Sequence, residues 1–220
     1  MTPKEIVPPL VLAACFLALF GVAELLYHFG KVRAEWTRKI VHTGTGLLTL
    51  LFPLVLVSHW QVLFLCGSFL LILLASLRFG WLPSINAIDR LSYGSILFPV
   101  IVYALFVVFR MAGKGLIVFY LPILILAVCD PLAALAGKRF PLGRYRICGC
   151  GKSASGSAAF FIAAVAVTVI VVDMLGITQS GKRLCLTVPV TATVSEALGI
   201  KGMDNLTIPA SVATILWLVL

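Results

Sequence analysis

Long apolar runs separated by short polar segments are the feature that most restricts the folds open to this chain. A helix that crosses a membrane needs roughly 20 apolar residues, and most of these runs approach that length. Hydrophobic residues make up 61% of the 220 residues and charged residues only 11%, whereas a soluble domain has roughly 45–50% and about 25%. The sequence therefore predicts an all-α, polytopic integral membrane protein.

Eight apolar runs predict about eight transmembrane helices in one bundle. The predicted helices are Pro8–Tyr27, Ile40–Ser58, Trp60–Leu77, Ile96–Phe109, Leu116–Ala136, Gly156–Val172, Leu184–Leu198 and Leu206–Leu220. The first run begins with a stretch that resembles a lipoprotein cleavage site, but it continues for a dozen further apolar residues, which favours an ordinary helix. No repeat and no long polar linker interrupts the series, so residues 1–220 are predicted to form a single transmembrane domain.

The distribution of basic residues predicts how these helices are oriented. Most of the 17 lysines and arginines lie in loops that alternate helices place on one face, namely 28–39, 78–95, 137–155 and 199–205. The positive-inside rule makes this face cytoplasmic and puts both termini outside. Anionic lipid headgroups account for much of the net charge of +9, so no nucleic acid partner is expected.

A glycine-rich segment, GCGKSASGS at 149–157, resembles the end of a Walker A phosphate loop. That motif requires a glycine where this chain has Arg146, and it follows a buried strand, which the short basic stretch before the segment does not predict. We therefore reject the Walker A interpretation. Cys148 and Cys150 suggest a zinc site, but no second ligand pair is near, which favours a structural role.

Ionisable groups at membrane depth cost roughly 2.5–3.5 kcal/mol each, so their positions are informative. Asp130 follows the apolar run LPILILAVC and requires a cationic partner or a metal ion. Glu24, deep in the first predicted helix, is expected to be a buried, hydrogen-bonded carboxyl. Five acids lie at or near the predicted cytoplasmic face: Glu35, Asp89, Asp130, Glu196 and Asp204.

Four clusters share this face, at 35–44, 93–99, 130–153 and 196–205. In the first cluster, helical spacing puts Glu35, Arg38 and His42 on one side of a helix. Taken singly, each cluster has a plain structural explanation. Arg38 and Lys39 would anchor a helix end among lipid phosphates, and the Lys152 and Asp204 segments would cap helices. Their coincidence on one face favours a shared site.

The residue types on this face suit a nucleoside triphosphate with Mg²⁺. Magnesium prefers one or two carboxylates together with phosphate oxygens. Lysine and arginine neutralise phosphates, and backbone N–H groups at a helix start bind the remaining oxygens. Hydrolase chemistry is disfavoured, because no Ser-His-Asp series and no paired-histidine metal motif is present.

At these clusters the chain resembles the CTP-dependent lipid-alcohol kinases, which include dolichol, phytol and yeast-type diacylglycerol kinases. The segments that carry the resemblance occur in the family's order and cover most of residues 35–209. They are EWTRKIVHTGTG at 35–46, YGSILFP at 93–99, DPLAALAGKRF at 130–140, KSASGSAAFF at 152–161 and EALGIKGMDNLTIP at 196–209. This family is more distantly similar to the phosphatidate cytidylyltransferases.

The resemblance implies that CTP phosphorylates a membrane lipid alcohol at the cytoplasmic face, in a bacterial plasma membrane. In this hypothesis Asp130 and Asp204 hold Mg²⁺, Glu196 supports them or acts on the hydroxyl, and His42 orients a phosphate or the acceptor. The remaining residues bind phosphate or complete the nucleotide pocket: Arg38, Lys39, Lys138, Lys152, Ser153, Gly156, Ser157 and Asn205. The expected partners are the alcohol, the nucleotide and the bilayer, and a homo-oligomer is compatible with this hypothesis.

Two departures and two alternatives accompany this hypothesis. Many family members have an acidic residue where this chain has Ser155, and the long N-terminal extension of dolichol kinases is missing. A cytidylyltransferase would use the same groups but make a CDP-lipid and pyrophosphate, and the chain lacks the carboxyl-terminal signature of that family. A transporter or scaffold would need a polar path through the bilayer, and the predicted helices offer few charges there beyond Glu24.

Overall fold

The computed structural model describes residues 3–86, 93–147 and 150–220. Asp89, Cys148 and the side chain of Cys150, which were considered above, lie outside the described residues. Contacts within the chain divide it into two compact units, Met1–Leu91 and Ser92–Leu220. The prediction that residues 1–220 act as one catalytic domain stays a prediction.

The described secondary structure of the first unit consists of helices joined by short loops. Its helices are α1 (Pro3–His28), α2 (Ala34–Thr49), α3 (Phe52–Val55), α4 (His59–Phe79) and α5 (Pro83–Asn86). A capping box formed by Ser58 and Gln61 begins α4, and Gly80 ends it in the left-handed conformation, which glycine adopts without strain. In its core, the phenyl ring of Phe16 packs against those of Phe52 and Phe69.

The second unit contains helices, one π-helical turn and a β-hairpin. Its elements are α6 (Gly94–Ala112), α7 (Ile117–Leu124), the π turn (Ile125–Cys129), α8 (Asp130–Arg139), β1 (Arg144–Ile147), β2 (Cys150–Ser153), α9 (Ala154–Met174), α10 (Gly181–Leu198) and α11 (Asp204–Val219). Leu121, Phe160, Val188 and Val212 come from four different helices and are fully buried in one apolar core.

Five helical segments of the described chain are long and apolar enough to cross a membrane. They are Ile6–His28, His59–Phe79, Gly94–Ala112, Ile117–Arg139 and Ala154–Met174. The all-α, polytopic membrane class is therefore confirmed. The count of eight spans stays a prediction, since α11 is a shorter apolar helix and α10, although continuous, contains Pro189 and several hydroxyl residues.

The predicted helix Ile40–Ser58 is wrong in its extent. The observed helix α2 begins six residues earlier, at Ala34, and ends at Thr49, after which α3 forms a separate short helix. Pro53 explains the break, because proline has no N–H to donate to the carbonyl of Thr49 and is favoured in the first turn of a new helix. The second span predicted from hydropathy is therefore two helices, not one.

The stretch before Lys152 forms a strand, so the expectation that it would not is also wrong. Arg144–Ile147 pairs antiparallel with Cys150–Ser153. The exposed Arg144 and Arg146 alternate with the half-buried Tyr145 and Ile147, which is the period-2 pattern of a strand with one covered face. This basic hairpin differs from the buried parallel strand that leads into a Walker A loop.

Candidate active site

A buried ion pair occupies the centre of the polar cluster in the second unit. Glu196, near the end of α10, is only 4% exposed. Lys152 on β2 donates from Nζ to the Glu196 carbonyl oxygen and to Oε1, each at 2.5 Å. The same ammonium lies 3.9 Å from Oδ2 of Asp204. Because an unpaired buried carboxylate is strongly destabilising, Lys152 is what permits Glu196 to be buried.

Two hydroxyls extend this ion pair into a network. The hydroxyl of Ser157, on α9, donates to Glu196 Oε2 at 3.1 Å, and the Tyr145 hydroxyl lies 2.7 Å from Ser157 Oγ. Both carboxylate oxygens of Glu196 therefore have hydrogen-bond partners. Tyr145 was not among the residues predicted from the sequence. Its position becomes apparent only from the hairpin register, which pairs Tyr145 directly with Lys152.

Two glycines allow α8 and the start of α9 to approach closely beside this network. A Cβ atom on Gly137 would lie 2.7 Å from Ser153 Oγ, and one on Gly156 would lie 3.0 Å from the Ala133 carbonyl oxygen. Ser153 caps α9 by accepting a hydrogen bond from the Gly156 amide at 3.2 Å. Ser153 and Gly156 therefore take part in capping α9, the structural role considered above for this segment. Their part in a nucleotide pocket stays a prediction.

The turn before α11 presents Asp204 at the first position of that helix. This turn contains Lys201 and Gly202, both with positive φ, at 48° and 85°. The Asn205 amide donates to the Gly94 carbonyl oxygen at 2.8 Å, and Tyr93 N donates to the Lys201 carbonyl oxygen at 2.9 Å. The amino end of α11 favours a negative charge, so Asp204 is well placed as a carboxylate.

Asp130 and Lys138 both lie on α8 in this unit. Asp130 is half-buried and is the first residue of the helix, directly after the π turn Ile125–Cys129. Single π-helical turns inside α-helices occur frequently at functional sites. The π turn is therefore further support for a functional role of Asp130, beside its position at the end of an apolar run, and hydropathy does not reveal it. Lys138 is exposed in the last turn of α8.

Arg38, Lys39 and His42 belong to the first unit, where all three are half-buried on α2. The helical spacing predicted for this segment is confirmed. Lys39 Nζ lies 5.1 Å from the centre of the Trp36 ring, in a cation–π contact. The participation of these residues in a phosphate site stays a prediction.

The carboxyl of Glu24 is hydrogen-bonded within the first unit, as predicted, but it is half-buried and not fully buried. Its Oε1 accepts from the Ser84 amide at 3.1 Å and from the Ser84 hydroxyl at 2.5 Å. The Ser84 carbonyl oxygen accepts from Thr37 Oγ1 at 2.6 Å. This chain of hydrogen bonds ties α1 to α5 and to α2, one residue before Arg38.

This chain is similar along nearly its whole length to a known protein. The phytol kinase of Synechocystis sp. (strain ATCC 27184 / PCC 6803 / Kazusa) is 35% identical over 213 residues, which cover 94% of this chain and 89% of that protein. The chain belongs to the lipid-alcohol kinase family. No protein-family profile matches it, and no solved structure does.

The carboxylates of this lipid-alcohol kinase suit a magnesium ion that takes most of its ligands from phosphate. Among the described residues, no group of three or more His, Cys, Asp or Glu side chains lies close enough together to hold a metal ion. Magnesium typically binds one or two carboxylates and completes its shell with water and substrate phosphates. Asp130 and Asp204 each offer a carboxylate of the type that magnesium binds, and their part in a magnesium site stays a prediction.

Proposed function

We propose that this protein transfers the γ-phosphoryl group of CTP to the hydroxyl of a membrane lipid alcohol, giving a lipid phosphate and CDP. The observation that carries the proposal is the buried Lys152–Glu196 pair with Asp204 at 3.9 Å, a cation and two carboxylates in a chain of a lipid-alcohol kinase family. The relative at 35% identity is a phytol kinase, which supports a long-chain alcohol such as phytol or a polyprenol as the acceptor, with diacylglycerol as a further candidate.

In this proposal Lys152 binds the transferred phosphate. Its ammonium has three protons, and two of them are directed at Glu196, so the third can be donated to a phosphate oxygen. Arg38, Lys39 and Lys138 neutralise the remaining phosphate charge, and His42 orients a phosphate or the acceptor. Phosphoryl transfer depends mainly on positioning and charge neutralisation, which these groups can supply.

Glu196 is proposed to accept the proton of the acceptor hydroxyl. The alcohol oxygen forms a bond to the γ-phosphorus, and the bond from that phosphorus to the oxygen bridging the β- and γ-phosphates breaks. The electron pair of the broken bond leaves with CDP, and the hydroxyl proton passes to Glu196. Ser157 and Tyr145 hold the Glu196 carboxylate in place for this transfer.

Asp130 and Asp204 are the residues we propose to hold Mg²⁺, which would neutralise charge on the β- and γ-phosphates when bound. Ser153, Gly156 and Asn205 shape the surrounding pocket through the cap, the close helix contact and the bond to Gly94 described above. The cytoplasmic placement of the site follows from the positive-inside rule and remains part of the proposal.

The proposal is tested by incubating purified protein with labelled CTP or ATP, Mg²⁺ and a panel of phytol, polyprenol and diacylglycerol. We expect the γ-label of CTP in the lipid product and CDP as the by-product. Release of pyrophosphate with a CDP-lipid would instead identify a cytidylyltransferase. Absence of transfer from either nucleotide to every alcohol would contradict the kinase proposal and favour a transporter or scaffold.

Asp130→Ala should abolish turnover, because it removes the proposed metal ligand, and should leave the protein folded, because alanine is the best helix former at this position of α8. Asp173→Ala is the matched control, since Asp173 is an exposed acid near the end of α9. Turnover and thermal unfolding in the same detergent are the two measurements. Full activity of Asp130→Ala would remove Asp130 from its proposed role.

A further inference from the structure

The hairpin of β1 and β2 connects two helical segments that are long and apolar enough to cross the membrane. The chain leaves the bilayer with Ile117–Arg139 and enters it again with Ala154–Met174, and the hairpin lies between them in the sequence. The Ala154 amide donates to the Gly143 carbonyl oxygen at 3.0 Å, which ties the base of the hairpin to the start of α9. Because a spanning helix ends at the edge of the hydrocarbon core, residues that directly adjoin these two segments lie among the lipid headgroups.

The two faces of β1 have different environments. Arg144 and Arg146 are exposed, whereas Tyr145 between them is half-buried. Successive side chains of a strand point to opposite faces, and the Tyr145 hydroxyl contacts Ser157 in the candidate active site. The guanidinium groups of Arg144 and Arg146 therefore point away from that network, while β1 itself pairs with the strand that carries Lys152.

Positive charge dominates this part of the chain. No aspartate or glutamate occurs from residue 131 to residue 172. Among the described residues, no carboxylate forms an ion pair with Arg144 or Arg146. Arg139, at the end of α8, adds a third exposed guanidinium group. Because exposed cations without an internal counterion attract anions from their surroundings, this part of the surface is complementary to phosphate groups.

Two exposed apolar side chains in the same segment indicate which kind of anion this surface suits. Phe140 is 61% exposed and Leu142 is 70% exposed. The Arg139 guanidinium lies 5.9 Å from the centre of the Phe140 ring. A soluble nucleotide or free phosphate would leave both apolar side chains in water, whereas a lipid layer offers acyl chains to them and phosphates to the arginines. The combination therefore favours a lipid headgroup over a free anion.

The outer hairpin surface consists of three exposed arginines and two exposed apolar side chains: Arg139, Arg144, Arg146, Phe140 and Leu142. We propose that this surface binds the headgroups of anionic phospholipids in the surrounding membrane. A zwitterionic headgroup has its own cation beside the phosphate, so the arginines favour lipids with a net negative charge. Because β1 pairs with β2, a lipid bound on the outer face restrains the strand that carries Lys152. Anionic lipid therefore also raises turnover, an effect that rests on the proposed function.

Binding is tested on the full-length protein in lipid nanodiscs, with phospholipid probes that carry a diazirine in the headgroup region. A phosphatidylglycerol probe should label peptides containing residues 139–147 several-fold more than the matching phosphatidylcholine probe. High salt should reduce this preference, because it screens exposed charges. The double variant Arg144→Gln/Arg146→Gln should lower labelling by phosphatidylglycerol roughly fivefold for each arginine removed, with the labelling by phosphatidylcholine unchanged.

Turnover is measured in nanodiscs of phosphatidylcholine with and without phosphatidylglycerol. Phosphatidylglycerol should raise wild-type turnover several-fold. The double arginine variant should lose this rise but keep the wild-type turnover in phosphatidylcholine and the wild-type KM for CTP. Lys182→Gln/Arg183→Gln is the matched control, because it removes two exposed basic residues at the start of α10, and it should match the wild type in hairpin labelling and in turnover. Thermal unfolding in the same nanodiscs verifies that the variants are folded.

The outcomes separate the lipid surface from the proposed function. Equal labelling of residues 139–147 by the two probes in the wild type would overturn the surface, and this comparison needs no variant. A higher KM for CTP in the double arginine variant, equal in both lipids, would assign the surface to the nucleotide and overturn the lipid proposal. Preferential labelling by phosphatidylglycerol without any effect on wild-type turnover would overturn the link to Lys152. The same preference in a protein that transfers no phosphate would support the surface and contradict the kinase proposal.

Discussion

At the residue scale, Lys152 has two separable tasks, pairing with a buried acid and binding phosphate. Lys152→Ala removes both, since it leaves Glu196 buried without an ammonium. Breaking such a pair costs about 3–5 kcal/mol of folding free energy, and loss of one charge-stabilising donor lowers kcat by roughly 10²–10³. We expect lower thermal stability and this loss of turnover. Lys182→Ala, at the exposed opposite end of α10, should change neither.

The double variant Lys152→Met/Glu196→Gln separates the two tasks. Removing both charges relieves the unpaired carboxylate, so thermal stability should recover towards the wild type. Turnover should stay at least as low as in Lys152→Ala, because the phosphate-binding cation is still missing and the glutamine amide at position 196 cannot accept the hydroxyl proton. Recovered turnover in the double variant would contradict both the phosphate-binding role of Lys152 and the proton-accepting role of Glu196.

Tyr145→Phe tests the residue that the sequence did not indicate. The change removes the hydroxyl that lies 2.7 Å from Ser157 Oγ and keeps the aromatic ring of residue 145 on β1. We expect kcat to fall several-fold with little change in the KM for CTP, because Tyr145 acts through Ser157 on Glu196 and does not touch the nucleotide. A double-variant cycle with Ser157→Ala should show strong non-additivity in kcat, as expected for residues in one network. Additive effects would place Tyr145 outside it.

At the element scale, the packing of α8 on α9 sets the position of the hairpin and its lysine. Gly137→Ala brings a Cβ atom to 2.7 Å from Ser153 Oγ, which must move and give up its cap of α9. Overpacking of this kind typically costs 1–3 kcal/mol, so we expect a lower unfolding temperature and reduced turnover. Gly151→Ala is the control, because its Cβ meets nothing within 4 Å although it adjoins Lys152. Equal effects of the two changes would contradict this account of the helix contact.

The elements also show what the sequence could and could not predict. Hydropathy predicted the long apolar helices, because burial in lipid requires continuous apolar runs. It missed the division between Thr49 and Phe52, the π turn before Asp130 and the hairpin, because these depend on one proline, on helix register and on strand pairing. Glu196 and Ser157 were predicted as site residues from pattern and resemblance. Their contacts with Lys152 and Tyr145 span up to 44 positions, which no local pattern encodes.

On the scale of the whole molecule, the second unit has two distinct polar ends. At one end lie the Lys152–Glu196 pair and the Asn205–Gly94 bond. At the other, Lys114 donates to the Trp217 carbonyl oxygen at 2.6 Å and Ser180 to that of Val219 at 3.2 Å. Within this unit, successive loops therefore lie at opposite ends, as the argument from the charge pattern assumes.

The orientation of these ends yields a final prediction. In a variant without its six native cysteines, Arg139→Cys at the end of α8 and Lys182→Cys at the start of α10 are both exposed positions. If the positive-inside rule holds, a membrane-impermeant maleimide should label Lys182→Cys in intact cells and Arg139→Cys only after permeabilisation. The reverse pattern would place Lys152 and Asp204 outside the cell, away from the cytoplasmic nucleotide pool. Labelling of both positions from one side would contradict the placement of successive loops on opposite membrane faces. The positive-inside rule would then no longer support a cytoplasmic site.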